Sequence, residues 1–492
     1  MLDERLAVSR RRFLALAGAG VASLALPRFA RAATARASDD TGVLSFTSRP
    51  DLNPPLVEVT TSLPSAAPGF IFLAPTSGPS QLGPLIIDDT GAPVWFHPLP
   101  PNSDKAVHNF RVQTFRGHPV LTWWEGQYAN GYGQGEYVIF DSSYREIARF
   151  GAANGYFGDL HEFTITSRDT ALISAYNSLS ADLRPYGGAS DGSLLEGVIQ
   201  EIDIRTGAPL FEWHSADHVT VDESYVPVTA GIWDYFHLNS VDLLDDNNFL
   251  ISARHTSAIY KLDRDSGEII WRLGGKQSDF TMKPGTHFAY QHDARGLPGG
   301  FISLFDDGAF TAASAIEPVS RAIILQLDSQ AMTAELAREE ANPQGALSFA
   351  MGNTQLLADG GMFVGWGTTP ECSEFDADGT LRFDATLPGG GFSYRAFRSP
   401  WNGTQTASPP ALVATPNSDG SLQLFMSWNG ATAISRWQIL GGPSKSALRE
   451  LRTVPHGGFE TTVLLDKAEP YLVAVPLDRR SRPLATTHVV RT

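Results

Sequence analysis

Three histidines of this chain recur at one point of a repeated pattern. His161 opens HEFTITSRDTALISAY, His237 opens HLNSVDLLDDNNFLISAR and His292 opens HDARGLPGGFISLF. In each, a polar turn follows, then an apolar run ending near Ser174, Ser252 or Ser303. A side chain that keeps its place in a repeat keeps its place in space, so the three imidazoles should converge. A neutral imidazole can act as a nucleophile, exchange protons or bind a metal. His237 and Asn239 lie two apart in YFHLNSV, which strand alternation predicts to share a face. Arg254 ends the next strand, FLISAR, and a hairpin returning on itself would bring it beside them. An imidazole, an amide donor and a planar guanidinium fork around one point suit an oxyanion such as sulfate or phosphate. The structural alternative is Arg254 paired with Asp234 or Asp242.

Within this set, His292 reads as a nucleophile whose other ring nitrogen must be held by an acceptor to fix the tautomer. His161 reads as an acid or base for an acceptor hydroxyl. His108 shares the repeat position, beside Lys105, and is read as channel-lining only. His97, His118, His214, His218, His287, His456 and His488 have no repeat position. His255 should point away from Arg254 if the strand continues. Three imidazoles could hold zinc. They come from separate repeats with no carboxylate at matching spacing, however, and Arg254 would repel a cation, so no metal and no cofactor is expected. KLDRDSGEIIWRLGG looks like the tryptophan repeats of quinoprotein propellers, but only Trp95, Trp213 and Trp271 fit, as packing residues.

A second, out-of-phase repeat supplies the frame. Strand, Asp-containing turn and strand recur at Asp88, Asp141, Asp203, Asp263, Asp328 and Asp376. Apolar alternation on both sides of a polar turn reads as a hairpin. Six such hairpins predict an all-β fold, a six-bladed β-propeller over residues 82–400 with the histidines on its central channel. The hairpin at Asp88 and the strand GFSYRAFRSPW would complete the last blade from opposite ends of the domain, leaving no open edge. Residues 36–81 read as a leader and a short N-terminal β segment. After a linker, NGTQTASPP, residues 405–492 alternate again around Trp428 and Trp437 and read as a fibronectin-III-like β-sandwich.

The remaining features bound the setting. With 492 residues, 42% hydrophobic content, 46 Gly and 32 Pro, the chain can bury a large core and has an all-β composition. Residues 1–35 read as a twin-arginine signal peptide: Ser9-Arg10-Arg11-Arg12-Phe13-Leu14, an apolar run from Leu14 to Leu26, and Ala-rich cleavage sites. That run of about 13 residues is too short to span a bilayer comfortably. Export to the periplasm or beyond, without stable membrane insertion, is the expectation. The net charge of −16 disfavours nucleic acid and anionic membrane as partners. Cys372 is the only cysteine, which excludes an intrachain disulfide and a Cys-based zinc site.

DLHEF, DYFHLNSVD, FLISARHTSAIYKLDRDSGEIIWRLGG, YQHDARGLPGGFISLFDDG and GNTQLLADGGMFVGWG together resemble the arylsulfotransferase family, in its broader branch. The resemblance implies a six-bladed propeller that moves a sulfuryl group from a phenolic sulfate to a phenol. It implies ping-pong transfer through a sulfohistidine and no nucleotide donor. Matched motif by motif, the nucleophile falls on His292, the histidine before an asparagine on His237 with substrate-binding Asn239, the sulfate-binding arginine on Arg254 and the acid/base on His161. The turn after His292 departs from the family, with Asp307 where Asn is common, and the N-terminal domain is reduced. The rival expectations are a non-catalytic exported propeller that binds carbohydrate or a surface, and an aryl sulfatase-like hydrolase.

Overall fold

The six turn aspartates close their hairpins by one device. The Oδ1 of Asp88, Asp141, Asp203, Asp263, Asp328 and Asp376 accepts the backbone N–H two residues on, at 2.8–3.1 Å. This Asx turn reverses the chain without a glycine at its first corner. Each hairpin also carries a register slip, as at Ile86/Ile87, Glu201/Ile202 and Lys261/Leu262. The remaining three slip at Glu146/Ala148, Ile324/Leu325 and Glu374/Phe375. A bulge of this kind increases strand twist, so the second repeat records a shared twist as well as a shared turn.

The computed structural model describes residues 36–37, 42–229, 231–403 and 408–492. The twin-arginine segment and its cleavage sites lie outside the described residues. Helix among them is confined to Ser215–His218 and three 3-10 turns. The fold is all-β and β-propeller-like. Leu238–Leu243, Phe249–Ala253, Ala258–Leu262 and Ile269–Gly274 form one four-stranded antiparallel sheet. The sheet beginning at His292–Leu297 follows the same up-and-down order through Phe301–Asp306, Arg321–Asp328 and Thr333–Ala341, with Thr281–Met282 at its edge. Residues 106–214 form one nine-stranded sheet with Ile232–Asp234, in which Gly158–Ile165 joins Tyr132–Phe140 through the single pair Gly158–Gly135.

The N-terminal boundary differs from the sequence expectation. Glu58–Ser62 pairs with Leu381–Thr386 as the outer strand of the sheet that starts at Asn353–Leu356. Phe70–Leu73 lies between Phe397–Ser399 and Leu85–Ile87 in the next sheet. Residues 58–73 are therefore part of the sheet framework rather than a separate segment ending at 81. The apolar strand FIFL needs cover on both faces, and Ile71 and Phe72 are fully buried there.

The first strands of neighbouring sheets are tied to one another by side chains. Asn353 exchanges two side-chain hydrogen bonds with the backbone of Ala396, and Gln355 does the same with Arg398. Ser240 Oγ accepts from Ala294 N–H, tying Leu238–Leu243 to His292–Leu297.

Residues 411–491 form a three-stranded and a four-stranded sheet around one core that includes Leu424, Met426, Trp437, Ile439 and Leu472. This unit docks through Asn429, which exchanges two hydrogen bonds with the Phe96 backbone, and through Tyr144, which stacks on Trp95 at 4.8 Å and donates to the Gly430 carbonyl. Trp437 is fully buried and its Nε1 has no partner. Trp437→Ala should cost about 3–5 kcal/mol in denaturant unfolding. Trp437→Phe should cost about 1.5 kcal/mol or less, since no indole hydrogen bond is lost.

Candidate active site

The inner strands break alternation where the histidines sit. Pairing of the first two strands slips between His108 and Arg111, Gly158 and Phe163, Leu238 and Ser240, and His292 and Arg295. His237 has φ 56°, and Asn109 and Asp293, which follow His108 and His292, have φ 58° and 53°. Bulges and left-handed residues re-aim side chains. Here they turn His161, His237 and His292 into one cavity of about 410 Å3, which Arg254 also lines.

Each of the three imidazoles is anchored through Nδ1 by a carboxylate. His161 pairs with Asp159 at 2.6 Å, His237 with Asp234 at 2.5 Å and His292 with Asp307 at 2.7 Å. The motif DLH, the three-residue step from Asp234 to His237, and the Phe-Asp-Asp-Gly turn were the available signals for these partners. The three carboxylates stand at different offsets from their histidines, two and three residues before and fifteen after, which is why no shared spacing revealed them. Anchoring Nδ1 leaves Nε2 of His161 and His237 for the cavity. The His161 and His237 ring centres are 4.9 Å apart. Tyr394 packs edge-on against His161 at 5.6 Å and His292 at 6.4 Å. It belongs to GFSYRAFRSPW, the strand read as completing the last blade, and was not itself singled out.

Arg254 opens a turn after Phe249–Ala253, and its backbone N–H donates to the His237 carbonyl at 2.9 Å. It forms neither of the two ion pairs considered for it. Its Nη1 donates to His255 Nε2 at 2.8 Å, its Nη2 donates to the Phe349 carbonyl at 2.6 Å, and its Nε has no partner. The guanidinium lies 4.6 Å from the Phe310 ring centre and 5.5 Å from that of Tyr290. His255 thus joins the site instead of pointing away. The strand stops at Ala253, and the turn brings His255 to 4.5 Å from His237, ring centre to ring centre.

Two expected placements change. Asn239 is fully buried and does not line the cavity; its Nδ2 donates to the Gln291 carbonyl at 2.7 Å. The slip after Leu238 is the physical reason that the two-residue spacing does not give one face. Asn239 braces the residue before His292 instead. His108 does not line the cavity either; it packs against Trp124 and Tyr394, and neither ring nitrogen has a partner.

The same short segment engages two groups of the site. Phe349 supplies the carbonyl on Arg254, and Met351, at φ 73°, donates its N–H to His292 Nε2 at 3.2 Å. That donor requires a lone pair on Nε2, so the ring proton of His292 is on Nδ1. Burial holds His292 and His237 well below the ordinary imidazole range, and Arg254 and the neighbouring imidazoles reinforce it. Burial raises Asp307 far above the carboxylate range, although Arg254 pulls the other way. Asp234, His237 and His255 have potential ligand atoms within 4.8 Å of one another. Both nitrogens of His255 are already used, by Arg254 and by the Asp234 carbonyl at 2.6 Å. The arrangement therefore seats a guanidinium rather than a metal cation.

A buried guanidinium, three carboxylate-anchored imidazoles and an aromatic wall of Tyr128, Trp233 and Phe310 line this one pocket. The profile of the Arylsulfotransferase (ASST) family matches residues 111–387, over half of the chain. The chain belongs to this family. The matched region contains His161, His237, Arg254 and His292. No curated protein matches the chain. Among solved structures, it is similar to a Bacteroides caccae protein of unknown function at 13% identity (67% of this chain, 98% of that one, TM-score 0.41). It is also similar to the Pseudomonas aeruginosa periplasmic gluconolactonase PpgL at 13% identity (82% and 99%, TM-score 0.34). Virginiamycin B lyase from Staphylococcus aureus, with quinupristin, aligns at 9% identity (76% and 97%, TM-score 0.34).

The buried imidazoles set an acid limit on the arylsulfotransferase-family fold. Burial lowers His108 and His255 from 6.5 to about 3. The unfolded chain then binds protons that the folded chain refuses between those values. Their contribution is intact above pH 6.5 and is lost as pH falls toward about 3, by up to about 1.4 kcal/mol per pH unit for each ring. Unfolding free energies measured from pH 7 to 4 should decline, and His108→Phe should flatten the slope without lowering stability at pH 7.

Proposed function

We propose that the chain is an aryl-sulfate sulfotransferase working by ping-pong transfer through His292 on a six-bladed propeller, with the C-terminal sheets as an accessory sandwich. The observation that carries this reading is the state of His292. Its Nδ1–H is anchored on Asp307 and its Nε2 lone pair lies on the cavity that Arg254 enters. A bound sulfate ester would replace the Phe349 carbonyl on Arg254 with a sulfuryl oxygen and displace the Met351 N–H from Nε2. The lone pair then attacks sulfur, the N–S bond forms and the S–O bond to the aryl group breaks. The electron pair leaves on the phenolate, and Arg254 with His237 offsets the negative charge that develops. In the second half, an acceptor phenol loses its proton to His161 Nε2, its oxygen attacks sulfur and the N–S bond breaks, which restores His292. The chemistry needs a phenolic sulfate and a phenol, without a nucleotide or metal.

The decisive assay is release of nitrophenol from 4-nitrophenyl sulfate with and without phenol. Phenol-dependent release is expected. Release independent of phenol would make the protein a hydrolase, and no release from several aryl donors would leave a binding propeller. With donor alone, one base-stable, acid-labile sulfuryl group should map to His292 by peptide mass spectrometry, and His292→Ala should abolish it. Arg254→Ala should slow its formation about a hundredfold, the size of losing one charge-assisted contact. An adduct on His237 or His161 would reassign the nucleophile.

Export by the twin-arginine route is part of the same proposal. Replacing Arg10 and Arg11 with lysine should leave precursor in the cytoplasm, because that route reads the arginine pair. Normal export of the double-lysine protein would make the segment an ordinary signal or anchor.

A further inference from the structure

A second cavity, of about 270 Å3, lies at the other end of the inner strands. The strand bearing His108 contributes Arg111 and Val112 to it, and the strand bearing His292 contributes Asp293, Arg295 and Leu297. At about 3.3 Å per residue, three to five residues carry each strand roughly 10–16 Å beyond its histidine. Between the two cavities lies fully buried Arg395, which is 3.5 Å from Glu162 and 3.3 Å from Asp293. The two cavities are thus distinct sites separated by an ionic layer.

Arg111 is the least fully paired cation of that layer. Asp293 Oδ1 accepts from Arg295 Nε at 2.9 Å and Nη2 at 2.6 Å, with Arg395 at 3.3 Å. Glu162 is closest to Arg295, at 2.6 Å, and is shared with Arg395. Arg111 reaches only Glu162 among the carboxylates, at 3.3 Å; its Nη2 otherwise donates to the Phe163 carbonyl and to Thr164 Oγ1, both at 2.6 Å. Its Nε is buried without a partner. Asp242, the next acid, accepts the Gly296 N–H at 3.0 Å and offsets charge on Arg295 rather than on Arg111. Burial, with the two neighbouring arginines, lowers Arg111 to about 10, although Glu162 and Asp293 pull the other way. Beside it, Val112, Leu297 and Leu356 supply an apolar wall.

We propose that this cavity binds a small organic anion, its carboxylate or sulfate head on Arg111 and its apolar body against Val112, Leu297 and Leu356. The site is independent of sulfuryl transfer, since none of its residues lines the histidine cavity.

The test is calorimetric titration of the full chain with benzoate and, separately, with inorganic sulfate. Benzoate should bind, and Arg111→Gln should weaken it at least tenfold, as expected for loss of a charge-assisted contact. Because Arg111 also braces the ionic layer, Ser399→Leu is the second variant. Ser399 lines the cavity without joining the ion pairs, and leucine there should fill the space and weaken benzoate to a similar degree. Arg254→Gln should leave this benzoate binding unchanged. The proposal is overturned if benzoate does not bind at millimolar concentration, if folded Arg111→Gln and Ser399→Leu proteins both bind it as wild type does, or if only Arg254→Gln weakens it. Inorganic sulfate bound as tightly as benzoate, and lost with Arg111, would overturn the assignment of an organic ligand.

Discussion

The carboxylate of Glu162 is the interaction on which the centre of this fold depends. It is fully buried among the inner strands and receives Arg295 at 2.6 Å, Arg111 at 3.3 Å, Arg395 at 3.5 Å and the Val241 N–H at 3.2 Å. Those four partners come from four different inner regions of the chain. Burial alone would raise its pKa; the three guanidiniums reverse this and hold it at about 2. A buried charge of this kind gains little over an apolar core, but removing one partner strands the others at a cost of about 3–5 kcal/mol. The network therefore acts chiefly on geometry. It accepts only the strand registers that bring all four partners to one point.

Fixing the registers also fixes what sits above the layer. Glu162 follows His161, Asp293 follows His292, and Arg395 follows Tyr394, so three ions of the layer are chain neighbours of rings at the upper cavity. The left-handed conformation of Asp293 lets one residue face the ions while its neighbour faces the site. Such a conformation costs on the order of 1–3 kcal/mol for a non-glycine residue, and the ion pairs of Asp293 with Arg295 and Arg395 offset it. The floor of the histidine pocket is thus built by the same residues that hold the sheets together.

What was legible in the sequence follows from this division. The hairpins could be read because an Asx turn is local: one aspartate and the N–H two residues on suffice. His161, His237, Arg254 and His292 could be brought to one place because the repeat preserves position. The side chains misread, Asn239 and His255, are those next to a bulge or beyond a strand end, where alternation ceases to apply. Likewise, Asp307 could be noted as a departure but not seen as the partner of His292, since it comes from the far end of the following strand. The segment 58–73 was read as β, but the sheets its strands join were not, for a different reason. Glu58–Ser62 has its partner, and Phe70–Leu73 one of its two partners, more than three hundred residues away, and nothing local in FIFL or EVTTS specifies which edge they fill.

The identity of residue 307 bears on the chemistry more than its place in the turn suggests. An asparagine there could accept from Nδ1 and hold the tautomer equally well. A low imidazole pKa keeps the Nε2 lone pair populated at neutral pH but lowers its nucleophilicity. Bonding Nε2 to sulfur makes the ring cationic, which a buried site of low polarity resists. Asp307 answers that difficulty, because its own affinity for a proton is raised by burial. In the proposed transfer, the Nδ1 proton can shift toward Asp307 as the N–S bond forms, and the ring never carries a full unpaired charge. In the proposed transfer, the departure from the family's usual residue supplies a proton acceptor beside Nδ1 that an asparagine would lack.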